Sequence, residues 1–79
     1  MPAITFNGTP RNVPRETTIT DLVAGATRRP LLPDGRPADG GRLGVAVAVD
    51  AAVVPRSSWS RTTVAEGQTV EIVTAIQGG

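Results

Sequence analysis

The chain has 79 residues, a formal net charge of +1 and neither cysteine nor histidine. This length predicts one domain over residues 1–79. The absence of cysteine excludes a disulfide framework, and the absence of histidine removes the commonest general base and metal ligand. The eight basic residues are all arginines spread along the chain, so the charge does not indicate a nucleic-acid partner.

The N-terminal residues lack the basic and apolar plan of a secretory signal peptide, and no apolar run approaches the length needed to span a membrane. We therefore expect a cytoplasmic protein with no membrane partner.

The first element is predicted to be a β-hairpin over roughly residues 3–14. Apolar and polar residues alternate over residues 3–7, as in a strand with one buried face. Asn7-Gly8 is a strong hairpin signal, because both residues accept a positive φ. The returning strand is expected over residues 11–13 and should end at Pro14.

A helix of about ten residues is predicted next, too short to be stable alone and therefore packed on a sheet. Thr18 is a suitable N-cap, and Asp21 completes a short capping box. Pro30 is expected to stop the helix after Arg28-Arg29. The residues at helical spacing predicted to form its apolar stripe are Ile19, Leu22, Val23 and Ala26.

Between the helix and the second half of the chain lies a segment rich in Pro, Gly, Asp and Arg, residues 30–44. It is long for a connection in a compact domain. We predict a mobile surface loop in which Leu31 or Leu32 contacts the end of the helix.

Three further strands are predicted in the second half. Val45–Val49 places valines on one face and alanines on the other, and Ala52–Val54 returns as a short edge strand before Pro55. A single helical turn should follow at residues 56–59, with Trp59 as a hydrophobic anchor in the core. The last strand is expected over residues 69–75.

The predicted order of elements is therefore β-β-α-β-β-β. The economical arrangement is an α+β fold with a mixed sheet of four to five strands, in which the first and last strands are central and parallel. One main helix crosses one face of the sheet. This is the ubiquitin-like β-grasp, and it lets the C-terminus project from the end of a central strand.

The last ten residues begin as a strand and end in Gln77-Gly78-Gly79. Val70 and Ile72 fall on one face, and Val73 falls on the other. The two glycines have no side chain to bury. Ordinary fraying accounts for such a tail, but a tail without side chains can also enter a narrow channel and present the Gly79 carboxylate to another protein.

The side chains offer little for catalysis. The serine hydroxyls have no histidine or lysine to activate them, and the spacing of Asp34, Asp39 and Asp50 does not match a calcium-binding loop. Gly40-Gly41 is not followed by the Lys-Ser/Thr of a phosphate-binding loop. We therefore predict that the protein is not an enzyme and holds no cofactor.

Several of these stretches resemble the ThiS family, the sulfur carriers of thiamine biosynthesis. The resemblance is carried by Val53–Trp59, Glu66-Gly67 and Val70–Gly79, and it extends to Phe6–Gly8 and Thr18–Val23. The segment of residues 30–44 departs from it, being longer and more irregular than the family usually has there. This departure bears on which partner enzymes are recognised.

The resemblance implies that an E1-like adenylyltransferase (ThiF type) activates the Gly79 carboxylate with ATP. A sulfur donor enzyme then supplies persulfide sulfur, and the resulting thiocarboxylate gives its sulfur to thiazole synthase (ThiG type). The partner would supply magnesium and phosphate binding. Gln77 and Gly78 would enter the partner's channel, and Val73 and Ile76 would contribute to docking; a single exposed valine needs no functional explanation.

Three other interpretations stay open. The chain could carry sulfur for molybdopterin or for a sulfur-containing secondary metabolite, which neighbouring genes would distinguish. It could be a ubiquitin-like modifier joined to target lysines through Gly79, which conjugates on a denaturing gel would show. It could also be a plain interaction domain, for which deletion of Gly78-Gly79 would have no effect.

Overall fold

The computed structural model describes residues 1–40 and 44–74. Five strands, one α-helix and one 3-10 helix make up this part of the chain. In order, they are β1 (Ala3–Phe6), β2 (Thr9–Asn12), α1 (Ile19–Thr27), β3 (Val45–Val49), β4 (Ala52–Val54), the 3-10 helix (Arg56–Arg61) and β5 (Thr69–Thr74).

The five strands form one mixed sheet in the order β2-β1-β5-β3-β4. The first and last strands pair in parallel, and the other neighbours are antiparallel. Helix α1 packs its buried residues against the sheet face that carries Ile4, Phe6, Val47 and Val70. The predicted β-grasp fold is confirmed, including the central and parallel placement of β1 and β5.

The first hairpin is present, but its second strand begins earlier than predicted. Asn7 (φ 49°) and Gly8 (φ 82°) make the two-residue turn, and Phe6 pairs with Thr9. Strand β2 therefore starts at Thr9 and contains Pro10. A proline is tolerated there because β2 lies at the edge of the sheet, where no neighbouring strand needs its missing N–H.

Helix α1 begins with the predicted capping box. The Asp21 N–H donates to Thr18 Oγ1 at 3.1 Å, and the Thr18 N–H donates to Asp21 Oδ2 at 2.9 Å. The helix ends at Thr27, because Arg28 adopts a left-handed backbone (φ 57°) before Pro30 is reached. Its buried residues are Ile19, Leu22 and Val23.

The predicted apolar stripe was wrong at its last position, because Ala26 is exposed. This residue lies in the last turn of a nine-residue helix, and the buried face is confined to the first two turns.

Trp59 is the largest fully buried side chain, with 1% of its surface exposed. The prediction that it anchors the core is confirmed. The surrounding helical segment is longer than one turn, however, since the 3-10 helix spans Arg56–Arg61. The buried hydrophobic core consists of Ile4, Phe6, Val13, Ile19, Leu22, Val23, Val47, Trp59, Val64 and Val70.

Residues 30–40, predicted as part of a mobile surface loop, contain hydrogen-bonded structure. Leu31 and Pro37 form an antiparallel bridge, and the Leu32 N–H donates to the Arg36 carbonyl at 2.7 Å. Gly35 is buried with Arg56 against it. This stretch, which we call the clip, is thus a small folded hairpin that packs on the 3-10 helix.

Of the two leucines in the clip, Leu31 packs against the core, while Leu32 is 44% exposed. The guanidinium of Arg29 lies 3.0 Å from the Asp39 carboxylate, which ties the end of the clip to the residues after α1. Residues 41–43, the remainder of the predicted loop before Gly44, lie outside the described part. In the described residues, no helix has the length and apolar character that crossing a membrane requires.

Candidate functional site

Strand β5 is the central strand of the sheet and the element that leads to the end of the chain. Its side chains alternate as predicted: Val70 is buried and Ile72 half-buried on the core side, whereas Glu71 and Val73 are exposed on the opposite side. The alternation follows from the two-residue period of a strand with one covered face.

The two neighbours of β5 do not extend equally far along it. On one side, β1 stops pairing at Phe6, which lies opposite Val70. On the other side, β3 pairs with β5 all the way to Thr74, which lies opposite Val45. Among the strands that the structure describes, the last four residues of β5 therefore have a partner on the β3 side only.

Two turn residues with positive φ hydrogen-bond β5, Asp50 at its first residue and Asn7 at its second and fourth. The Asn7 N–H donates to the Val70 carbonyl at 2.9 Å, and the Ile72 N–H donates to Asn7 Oδ1 at 2.8 Å. At the start of the strand, the Asp50 N–H donates to the Thr69 carbonyl at 2.8 Å, and the Thr69 N–H donates to Asp50 Oδ1 at 2.9 Å. Each residue thus bonds β5 with both its main chain and its side chain.

Beside the end of β5, the sheet face opposite the helix carries an apolar surface. Val73 is 60% exposed and lies directly opposite Ala46 on β3, while Val53 on β4 is 76% exposed and lies opposite Ala48. Because these strands are neighbours and the four residues point to one side, they form a continuous surface. We call it the valine face: Ala46, Ala48, Val53 and Val73.

The same side of the sheet carries one charged residue among the five strands of the described chain, Glu71. It is exposed and lies opposite Ala48 on β3. The valine face therefore has a single carboxylate next to it. Its most complementary partner surface is apolar with a basic side chain at one side.

Of the predicted site residues, the structure places Val73 on the valine face, at the end of β5. Ile76, Gln77, Gly78 and Gly79 lie outside the described residues. The prediction did not include Val53 or the contact between Asn7 and Ile72. The alternation of valine and alanine indicated that Ala46 and Ala48 share a face, but only the register of β4 brings Val53 beside them.

The described side chains also bear on two other kinds of site, a metal site and a reactive hydroxyl. In residues 1–40 and 44–74, no group of three or more Asp and Glu side chains lies close enough to hold a metal ion. The hydroxyls of Thr17, Thr27 and Thr62 each donate to a backbone carbonyl. These three hydroxyls therefore serve to tie the backbone locally.

Comparison with known proteins identifies the family of this chain. The model of the ThiS family matches residues 4–79. No curated protein matches the chain. A crystal structure of the thiamine biosynthesis protein ThiS from Geobacter metallireducens is 25% identical, with a TM-score of 0.67, and the likeness covers 98% of this chain and 99% of that one. With nearly its whole length matched by the family, and with the fold of a solved member, the chain belongs to the ThiS family.

Proposed function

We propose that this chain is a sulfur carrier of thiamine biosynthesis, in which the Gly79 carboxylate is adenylated and converted to a thiocarboxylate that donates sulfur for thiazole formation. One observation carries the proposal above the others. The central strand β5 ends at Thr74, and after two more residues the sequence reads Gln-Gly-Gly, in a chain that the ThiS family matches through residue 79.

The length of the tail suits this role. Five residues, 75–79, follow Thr74 in the sequence. A fully extended chain covers about 3.3–3.6 Å per residue, so these residues can place a carboxylate at most roughly 18 Å beyond the sheet. The last two have no side chain, and a narrow channel in a partner enzyme can admit them.

The chemistry requires activation before sulfur can replace oxygen, because a free carboxylate oxygen is a very poor leaving group. In the proposed sequence the carboxylate attacks the α-phosphorus of ATP and releases pyrophosphate, giving an acyl-adenylate. The terminal sulfur of a persulfide then displaces AMP. A thiol reductant cleaves the resulting S–S bond and leaves the thiocarboxylate. The adenylating partner supplies the ATP site and its magnesium.

The composition protects such an intermediate. All eight basic residues are arginines, so the chain has no lysine amine to attack its own acyl-adenylate. A guanidinium is always protonated at neutral pH and is therefore a poor nucleophile. The activated carboxylate is left for the incoming sulfur.

Docking of the adenylating partner is proposed at the valine face. It lies beside the end of β5, so a protein bound there is close to the start of the tail. Its two large side chains, Val53 and Val73, are exposed apolar groups whose burial is favourable. Glu71 would pair with a basic side chain of the partner.

Adenylation can be tested separately from sulfur transfer, because the first step is reversible. The chain and its E1-like partner are incubated with ATP and labelled pyrophosphate. We expect label to enter ATP only when the chain is present, and not when Gly78-Gly79 is deleted. If a partner that activates another carrier gives no exchange with this chain, the proposed function is wrong.

A further inference from the structure

Asn7 lies where β1 ends and β5 continues without it. In a parallel pair, the N–H of a residue donates to a carbonyl of the neighbouring strand. The carbonyl of the same residue accepts from the N–H two residues further along that neighbouring strand. Asn7 fulfils the first half of this pattern, since its N–H bonds the Val70 carbonyl at 2.9 Å. The second half calls for an acceptor at the Ile72 N–H.

The side chain of Asn7 supplies that acceptor. The Ile72 N–H donates to Asn7 Oδ1 at 2.8 Å. The backbone of Asn7 is left-handed (φ 49°), because it opens the two-residue turn that leads to β2. Asparagine tolerates this backbone, and its side-chain amide can imitate a peptide group. The Asn7 side chain therefore adds one hydrogen bond to the β1–β5 ladder beyond the point where the backbone turns toward β2.

We propose that Asn7 is a positioning residue for the tail: its side-chain carbonyl holds the end of β5 and thereby sets the direction in which the chain leaves the sheet. This inference rests on the proposed function, since it concerns how the Gly79 carboxylate is delivered. Asn7 itself need not touch the partner's reacting atoms.

The Asn7 bond matters because β1 does not pair with the last residues of β5. Among the described strands, residues 71–74 of β5 pair with β3 alone. Paired strands twist more strongly when only two are joined than in a wider sheet. Without the Asn7 acceptor, the end of β5 would follow β3 and point elsewhere. A displacement of about 1 Å at a reacting group can lower a rate by up to a hundredfold.

Asp50, in the turn between β3 and β4, provides a matched control because it also bonds β5. Its main-chain N–H and its side-chain oxygen both bond Thr69 at the start of the strand, and its backbone is also left-handed (φ 50°). The two residues are therefore alike in type of contact and in backbone, and differ in where they bond β5, Asp50 at its first residue and Asn7 as far along as Ile72. Only Asn7 lies beside the residues that lead to the tail.

The test compares three full-length variants. Asn7→Gly keeps a residue that accepts positive φ but removes the acceptor, whereas Asn7→Asp keeps both. Asp50→Gly removes the equivalent acceptor at the other end. The rate of thiocarboxylate formation is measured with the E1-like partner, ATP and a sulfur source, at a temperature where circular dichroism shows every variant to be folded.

We expect Asn7→Gly to lower kcat about fivefold to tenfold, the size of effect that one lost hydrogen bond allows. KM for the carrier should change by less than about twofold, because the valine face is intact. Asn7→Asp should stay within about twofold of wild type in kcat. Asp50→Gly should keep the wild-type kcat even if it lowers the melting temperature.

Amide hydrogen exchange gives a second measurement that needs no partner. Exchange at the Ile72 N–H should be roughly tenfold faster in Asn7→Gly and near wild type in Asn7→Asp. In Asp50→Gly the faster amide should be that of Thr69 instead. An unchanged exchange rate at the Ile72 N–H in Asn7→Gly would overturn the proposal that the Asn7 side chain positions the end of β5.

The kinetic outcomes separate this inference from the function on which it rests. If an active partner leaves the wild-type chain unconverted, the proposed function fails and the positioning role fails with it. If wild type is converted and Asn7→Gly has the same kcat, only the positioning role is wrong. An equal fall of kcat in Asn7→Gly and Asp50→Gly would also overturn it, because a general loss of sheet stability would then suffice.

Discussion

The indole N–H of Trp59 donates a hydrogen bond to the backbone carbonyl of Val54 at 3.0 Å. Val54 is the last residue of β4, and Trp59 lies in the 3-10 helix that follows. The guanidinium of Arg56 lies over the same indole, 5.3 Å from its centre. One side chain therefore fills the core and fastens the edge of the sheet to the next element.

Replacement of Trp59 by alanine should lower the free energy of unfolding by about 3 kcal/mol or more, as for other buried large aromatics. Trp59→Phe keeps much of the apolar contact but removes the hydrogen bond from the indole to the Val54 carbonyl. It should also leave a small cavity, because a phenyl ring is smaller than an indole. We expect it to be less harmful than Trp59→Ala. Urea unfolding followed by circular dichroism measures both, since the chain has no other tryptophan to report by fluorescence. An unchanged melting temperature for Trp59→Ala would mean that the side chain is exposed.

The packing of the clip on the 3-10 helix can be tested with two glycines. Gly35 and Gly40 both have positive φ, 83° and 79°. A Cβ added at Gly35 would collide with the Arg56 side chain and lie 3.1 Å from its carbonyl oxygen, while one added at Gly40 would meet nothing within 4 Å.

Both alanine variants should lose about 1–2 kcal/mol from the left-handed backbone. Gly35→Ala should lose about 1–3 kcal/mol more, because overpacking displaces Arg56. Thermal or urea unfolding measures the difference between the two. Equal stability of the two variants would contradict the packing of the clip against Arg56.

Val73 tests docking at the valine face. Because 60% of its surface is exposed, Val73→Asp should fold normally. It should lower kcat/KM with the adenylating partner about tenfold or more, since an unpaired charge would be buried in the interface. Leu32→Asp is the control, because Leu32 is an exposed apolar residue of the clip and is not part of the valine face. An equal effect of both variants would place docking elsewhere.

Gly79→Ala tests whether the tail enters a narrow channel. The substitution adds one methyl group five positions beyond β5, so we expect the melting temperature to stay that of wild type. Activation by the partner should fall about tenfold or more, since the added group misplaces the carboxylate. A normal yield of thiocarboxylate from this variant would mean that the channel does not exclude a side chain.

Much of the fold could be predicted because its signals are local. The turn at Asn7-Gly8, the capping box at Thr18 and the alternation of Val45–Val49 each depend on residues a few positions apart. The start of β2 was misplaced because Pro10 reads as a strand breaker, an effect that an edge strand avoids. The exposure of Ala26 depends on where the helix ends, which its periodicity does not show.

The parts that could not be predicted depend on contacts distant in sequence. The clip is held by Gly35 against Arg56, and nothing in its own composition distinguishes it from an unstructured loop. Asn7 is 65 positions from Ile72, and its role in the turn gives no sign that its side chain also bonds β5. Val73 was predicted as exposed, but the valine face required the pairing of Ala48 with Val53.

The central claim concerns the Gly79 carboxylate, and intact mass spectrometry tests it most directly. The chain is incubated with its E1-like partner, ATP and a sulfur source, beside an identical reaction on a chain that lacks Gly78-Gly79. We expect a mass gain equal to the exchange of one oxygen for one sulfur in the full chain and none in the shortened one. No gain in the full chain, with a partner shown to be active on another carrier, would contradict the proposed sulfur-carrier function.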